Sequence, residues 1–285
     1  MPEIAFLNGE FMPIEEAKVP VDDRGYQFGD GVYEVIESYA GQLWALERHL
    51  NRLRRSLSET GISGITVEEV REWILETHRK SGISRALVYV QITRGVAPRK
   101  HAWMTTPLRP TLLITVRRFV PVPEELRESG VRAITVPEIR WARRDIKSIN
   151  LLPNVLAAQR AWERGAFEAI FVDGGYVTEG AATNVFAVRD GKLLTPAEGP
   201  HILPGITRGL VIEIAREEGI GVEEGSLALE VVMKADEVFL TGTGIEVLGV
   251  TSIDGWTVRD GKVGPVTRRL FEAFMERVEK GFDAS

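Results

Sequence analysis

Val120-Pro121-Val122-Pro123 constrains the architecture of this chain more than any other segment. Each proline holds its own φ and pushes the residue before it toward extended geometry, so the four residues form a stiff extended piece. A chain of 285 residues exceeds a comfortable single core. The segment is therefore read as an interdomain linker at 120–124, between a smaller N-terminal domain, 1–119, and a larger C-terminal domain, 125–285.

The patterns on either side differ. Residues 4–7 and 11–13 flank Asn8-Gly9, a tight-turn pair, and predict a hairpin. Gly31 to Tyr39 alternates, with Val32, Glu34 and Ile36 on one side and Tyr33, Val35 and Glu37 on the other. A second strand is expected over Gln42 to Leu46. Leu46, Leu50, Leu53 and Leu57 recur at helical spacing up to Gly61, and a second amphipathic helix runs from Val67 to Ser81 behind the cap Thr66. Ala86 to Arg94 and Thr111 to Phe119 are β-branched runs, joined by a loop containing Gly95, Pro98, His101 and Pro107. The first half thus reads as one sheet covered by two helices.

Beyond the prolines, strands are expected near 131–136 and 169–172 with a helix from Leu152 to Gly165 between them. Further helices are expected at 206–218 and 265–280. Asp190-Gly191, Asp254-Gly255 and Asp260-Gly261 look like hairpin turns.

Composition excludes several classes of function. An apolar share of 44% is that of an ordinary globular protein. The net charge of -6 with interspersed signs argues against a nucleic-acid surface. Without cysteine there is no disulfide, thiolate metal site or cysteine nucleophile, and four scattered histidines do not build a metal site. The N-terminal segment lacks the charge and apolar run of a signal peptide, and apolar runs are strand-sized, so a soluble cytoplasmic protein without a membrane partner is expected.

Two segments carry the chemistry. Lys147 lies in Asp145-Ile146-Lys147-Ser148-Ile149-Asn150-Leu151-Leu152, an amine among apolar neighbours that is poised to lose its charge and act as a nucleophile. Taken alone, such a lysine reads more often as an edge residue that keeps its ammonium in water. Glu179 follows in Val177-Thr178-Glu179-Gly180-Ala181-Ala182-Thr183-Asn184, a carboxylate able to partner a cation. Alone it reads equally well as a solvated strand end.

Five segments in order resemble the fold-type IV pyridoxal-phosphate enzymes, and within them the bacterial D-amino-acid aminotransferases. They are Asp23-Arg24-Gly25-Tyr26-Gln27-Phe28-Gly29-Asp30-Gly31-Val32-Tyr33-Glu34-Val35, Arg94 to His101, Asp145 to Leu152, Thr178 to Phe186, and Gly205-Ile206-Thr207-Arg208. The resemblance runs end to end. It implies a two-domain α/β fold of the α+β kind, with a small N-terminal α+β domain and a larger, mixed β-barrel-like C-terminal domain with helices.

The resemblance also implies roles. Lys147 would be the Schiff-base lysine of pyridoxal 5'-phosphate and the proton shuttle, and Glu179 the partner of the pyridine nitrogen. Arg52, Ile206, Thr207 and Thr243 would hold the phosphate; a solvated helix face is the other reading of Arg52. Tyr33, Arg99 and His101 would grip the substrate carboxylate, with Val35 lining the side-chain pocket or simply filling the core. The loop of Arg99 and His101 would reach the neighbouring subunit's site, so a homodimer is implied. The implied reaction is ping-pong transfer of an amino group from a D-amino acid to a 2-oxo acid.

The chain departs from that pattern at Ala181, Ala182 and Gly242, where serines are usual. Backbone N–H groups or waters would have to replace the hydroxyls. His49, His78 and His201 read as structural or surface groups, and Asp30 and Gly31 as residues that shape the strand entry. Two other activities share the lysine and glutamate: branched-chain L-amino-acid transamination and elimination from aminodeoxychorismate. A non-catalytic binding protein is the remaining alternative.

Overall fold

The computed structural model describes residues 3–103 and 108–281. Met1 and Pro2 of the N-terminal reading, and Pro107 of the loop, lie outside the described residues. The described residues form two compact units, one of 3–103, 108–120, 146–150 and 281, the other of 121–145 and 151–280.

Unit 1 contains β1 (Ile4–Leu7), β2 (Glu10–Pro13), α1 (Arg24–Phe28), β3 (Gly31–Tyr39), β4 (Gln42–Leu43), α2 (Leu46–Thr60), α3 (Val67–Ser81), β5 (Ala86–Thr93) and β6 (Thr111–Arg118). Its six-stranded sheet runs β2-β1-β6-β5-β3-β4, each neighbouring pair antiparallel. The Asn8-Gly9 hairpin forms with both turn residues at positive φ, 51° and 109°. Leu46, Leu50, Leu53 and Leu57 of α2 and Val67, Val70 and Ile74 of α3 are buried against Val32, Ile36, Val88 and Ile114. Each fully buried leucine contributes roughly 2 kcal/mol. A reciprocal capping box of Thr66 and Glu69 starts α3. The strand expected to Leu46 stops at Leu43, because Ala45 turns left-handed (φ 52°) and Leu46 joins the leucine stripe of α2.

Unit 2 contains α4 (Glu124–Ser129), β7 (Val131–Pro137), α5 (Leu152–Glu163), β8 (Glu168–Asp173), β9 (Tyr176–Gly180), β10 (Asn184–Arg189), β11 (Lys192–Pro196), α6 (Ile206–Glu217), β12 (Val222–Gly225), β13 (Leu227–Ala228), α7 (Leu229–Met233), β14 (Glu237–Gly242), β15 (Glu246–Ile253), β16 (Trp256–Thr257) and α8 (Pro265–Lys280). Pro123 does not simply extend the linker; it is the N-cap of α4. The sheet order is β12-β11-β10-β14-β15-β7-β8-β9-β13, with β16 paired to β15. β9 and β10 lie near opposite ends of that order yet are joined by only residues 181–183, so the sheet curls back into an open, barrel-like form. Two of the three Asp-Gly turns join antiparallel strands. The third, Asp260-Gly261, is a turn between β16 and α8 with no hairpin, since the chain enters α8 at Pro265 instead of a second strand.

Candidate functional site

Lys147 does not sit in a strand. Residues 146–150 are an irregular segment pinned along β3: Tyr33 N donates to Lys147 O (3.0 Å), Ile149 N donates to Gly31 O (3.1 Å), and Ser148 bridges Val32. Ser56 Oγ of α2 accepts from Lys147 N at 3.3 Å. The approach requires Gly31, because a Cβ there would lie 2.9 Å from both Ile149 Cδ1 and Ile92 O. Lys147 Nζ lies 4.3 Å from the centre of the Tyr33 ring. Tyr33 and Val35 are half-buried on one face of β3, opposite Gln91 and Tyr89. Tyr89 stacks on Tyr33 at 5.7 Å, donates to Gln91 Oε1 (2.6 Å), and is pushed up to about 12 by burial and by Tyr33.

The other face of β3 is core, and it holds a charge. Glu34 is 1% exposed between Val32 and Ile36. Arg52 donates to it from Nε and Nη2, both at 2.8 Å, and His49 Nδ1 lies 2.7 Å away. Burial pushes the Glu34 carboxyl up, but the Arg52 charge and the bonds from Arg52 and His49 outweigh it and hold the group at about 2. Burial pushes His49 below its ordinary value; the Arg52 and Lys147 charges add to this and Glu34 opposes it. Arg52 is thus buried rather than on a solvated face, and His49 is fixed beside it. A signal for Glu34 was present in the alternation: a carboxylate in register with Val32 and Ile36 must have a buried partner.

Arg99 and His101 lie on an exposed loop. The Arg99 guanidinium lies over the Phe28 ring at 5.0 Å, and the His101 ring is 5.5 Å from Phe28. Phe28 belongs to a shaped segment. Asp23 caps α1 and accepts from the hydroxyls of Thr93 (2.9 Å) and Thr111 (2.6 Å), while Gly29 ends α1 in the left-handed region at φ 67°.

Unit 2 holds the second constellation. Glu179 at the end of β9 is 5% exposed; Arg140 Nη1 donates to Oε1 at 2.5 Å and Leu203 N to Oε2 at 3.1 Å. Arg140 also pairs with Glu138 at 2.5 Å and lies over the Phe171 ring at 4.1 Å. Burial pushes the Glu179 carboxyl up against the opposing Arg140 charge. Burial also pushes Glu138 up, but Arg140 and the hydroxyl of Thr178 hold it at about 2. Arg144 pairs with Glu138 (2.9 Å) and meets His201 Nδ1 (2.7 Å), while its own Nε is buried with no hydrogen-bond partner among the described residues. Arg140 and Glu138 escaped the sequence reading because their spacing to Glu179 in the chain carries no periodic signal.

Leu203 leads from Glu179 to α6. Its carbonyl accepts from Asn184 Nδ2 at 3.1 Å, and a Cβ on Gly205 would lie 2.0 Å from Asn184 Oδ1. Gly205 is the N-cap of α6, and no side chain caps the helix. The N–H groups of Ile206 and Thr207 are therefore free of intrahelical partners and suit an anion. Thr207 is buried, as is Thr241, whose Oγ1 has no hydrogen-bond partner among the described residues. Thr243 lies in the turn after β14, next to Gly242, where a Cβ would be 3.6 Å from Ala182 O.

At residues 181 and 182, where serines are usual in the resembled enzymes, the backbone N–H groups are already engaged. They donate to the buried carboxylate of Glu168 (3.1 and 3.2 Å), which also accepts from Thr183 Oγ1 (2.9 Å). Burial pushes Glu168 up despite these bonds. The loop is held from behind.

Against known proteins, the amino-transferase class IV family profile matches residues 31–253. The D-alanine aminotransferase of Staphylococcus epidermidis is 43% identical over 275 residues, covering 96% of this chain and 97% of that protein. That of Bacillus licheniformis is 42% identical, covering 95% and 96%. Among solved structures, the Escherichia coli branched-chain amino acid aminotransferase aligns with a TM-score of 0.91 at 31% identity, covering 97% of this chain and 94% of that one. The branched-chain amino acid aminotransferase of Thermoproteus uzoniensis, solved with norvaline, gives 0.84 at 32%, covering 96% and 94%.

Proposed function

The chain belongs to the class IV aminotransferase family, and from that premise we propose that it is a pyridoxal-phosphate-dependent D-amino-acid aminotransferase. It would move the amino group of a D-amino acid such as D-alanine or D-glutamate to 2-oxoglutarate or pyruvate. The observation that carries the D-specific choice is the Arg99-Lys100-His101 loop, whose exposed Arg99 and His101 side chains, packed on Phe28, would take the substrate carboxylate. Full-length likeness to relatives named D-alanine aminotransferase supports the same choice.

The residues fit the cofactor. An uncapped helix start at Ile206 and Thr207, a glycine at 205 where no Cβ fits, and the orphaned Thr241 hydroxyl suit a phosphate; Thr243 and Arg52 would complete its hold. Glu179 would face the ring nitrogen, and Lys147 would carry the cofactor covalently. When bound, pyridoxal 5'-phosphate supplies a cationic ring that stabilises negative charge developing at the substrate α-carbon. Lys147 Nζ would take the proton from that carbon, with its main chain pinned by β3 and its Nζ beside Tyr33. Arg99 would fork onto the substrate carboxylate, with His101 and Tyr33 beside it. Val35 would bound the side chain.

A homodimer would bring the Arg99 and His101 loop to the neighbouring subunit's site. In support, unit 2 exposes the large apolar side chains Ile139, Trp141, Leu152, Val155, Leu156 and Trp162, which a subunit interface would cover. Analytical ultracentrifugation tests this. No helix among the described residues is long and apolar enough to cross a membrane. A cytoplasmic location is proposed with the family reading.

The test is a visible spectrum of the purified protein before and after D-alanine or L-alanine, without an oxo acid. Loss of the cofactor band with the D-isomer alone supports the proposal. Loss with L-substrates would move the activity to branched-chain L-amino acids, the reaction named for the structural relatives. Lys147→Ala should abolish transfer.

A further inference from the structure

The segment Asp23–Asp30 does more than shape a strand entry. Arg24 is 3% exposed, and every guanidinium nitrogen is engaged within the protein. Nε donates to Asp30 Oδ2 (2.7 Å), Nη1 to Lys100 O (2.6 Å) and Nη2 to His101 O (3.0 Å). Two successive carbonyls on one planar fork fix both the height and the tilt of the peptide between the two proposed carboxylate-binding residues.

Asp30 is clamped in turn. Arg94, 6% exposed, donates to it from Nε (2.8 Å) and Nη2 (2.9 Å), and ties the pair to the end of α2 through Thr60 O (2.7 Å) and Gly61 O (2.9 Å). The Arg94 guanidinium also lies 3.9 Å from the centre of the Trp103 ring, farther along the loop. Arg24 and Arg99 both lie over Phe28, at 4.9 and 5.0 Å.

We propose that Arg24, with Asp30 and Arg94 behind it, is a positioning device that pre-orders the loop bearing Arg99 and His101. The inference rests on reading those two side chains as substrate-carboxylate groups. Arg24 touches no substrate; it acts by removing the ordering cost that binding would otherwise carry. Its loss therefore falls on KM rather than kcat.

The test uses the holoenzyme and the variants Arg24→Lys, Asp30→Asn and Arg99→Ala. Lysine keeps the charge but cannot fork. KM for D-alanine should rise about tenfold or more in Arg24→Lys and Asp30→Asn, the loss of a charge-assisted bond, with kcat within about threefold. Trypsin should cut after Arg99 and Lys100 about tenfold faster than in wild type, because the scissile Lys100 carbonyl is the one Arg24 holds. The visible cofactor band should be unchanged. Unaltered KM and cleavage in both positioning variants overturn the inference, and if Arg99→Ala still raises KM the carboxylate reading survives. Faster cleavage with KM unchanged in all three variants overturns the carboxylate reading instead and leaves Arg24 as a loop anchor.

Discussion

Glu34 and Glu179 are both buried carboxylates beside an arginine, yet one is held at about 2 and the other is pushed up. The difference lies in how many donors each commands. Glu34 receives two nitrogens of Arg52 and one of His49. Glu179 receives one nitrogen of an arginine shared with Glu138, plus one backbone N–H. Both carboxyls are buried, so the donors, together with the Glu138 charge that pushes Glu179 up further, decide the sign. In unit 1 the carboxylate is a permanent anchor for Arg52; in unit 2 it keeps unspent capacity for a cationic partner.

The largest effect expected from this contrast is on stability. Arg52→Met should cost about 3–5 kcal/mol in urea unfolding, since it strands a fully buried carboxylate. Arg140→Met should cost about 1–3 kcal/mol, because Glu138 keeps Arg144 and Glu179 can take a proton. Equal losses would break the comparison.

Acid should separate the two sites further. Glu34 binds its proton less readily folded than unfolded, so its stabilisation is complete above the ordinary glutamate value and is lost as pH falls toward about 2. Wild type should lose about 3 kcal/mol relative to Glu34→Gln over that window. Glu179 has the opposite sign: with its folded value raised, it opposes folding when ionised and stops doing so as pH falls. Unfolding curves of Glu179→Gln should therefore diverge from wild type at high pH and converge in acid.

On activity, Glu179→Gln should lower the transamination rate about a hundredfold with the fold intact, if its free capacity serves the cofactor ring. An unchanged rate would reduce Glu179 to a structural partner of Arg140. The smallest effect is expected at Gly242→Ser. A Cβ there lies 3.5 Å from Ile245 Cγ1, an ordinary contact, so stability should move by less than about 0.5 kcal/mol. Restoring the serine hydroxyl usual at this position in the resembled enzymes should tighten cofactor binding a few fold, about the worth of one hydrogen bond.

Much of unit 1 was legible. The leucine stripe of α2, the Thr66 cap and the Asn8-Gly9 turn are local, and local periodicity reports them directly. The early end of β4 was not legible, because a left-handed alanine leaves no mark in composition. Lys147, Glu179 and Thr207 stand in motifs, whereas Glu138, Arg140 and Glu168 do not. Their partners come from β9 and the connection that follows it, and no spacing along the chain announces them.

By itself the sequence determined the alternation that buries one face of β3 and the stripes of its covering helices, since each depends on neighbours a few residues apart. Tertiary structure alone decided that Lys147 is held by β3 though distant in sequence, that Arg24 grips the carbonyls of Lys100 and His101, and that Glu34 and Glu179 differ in charge cost. Those outcomes turn on hydrogen-bond donors brought in from far along the chain, and a buried charge takes its energy from all the donors around it.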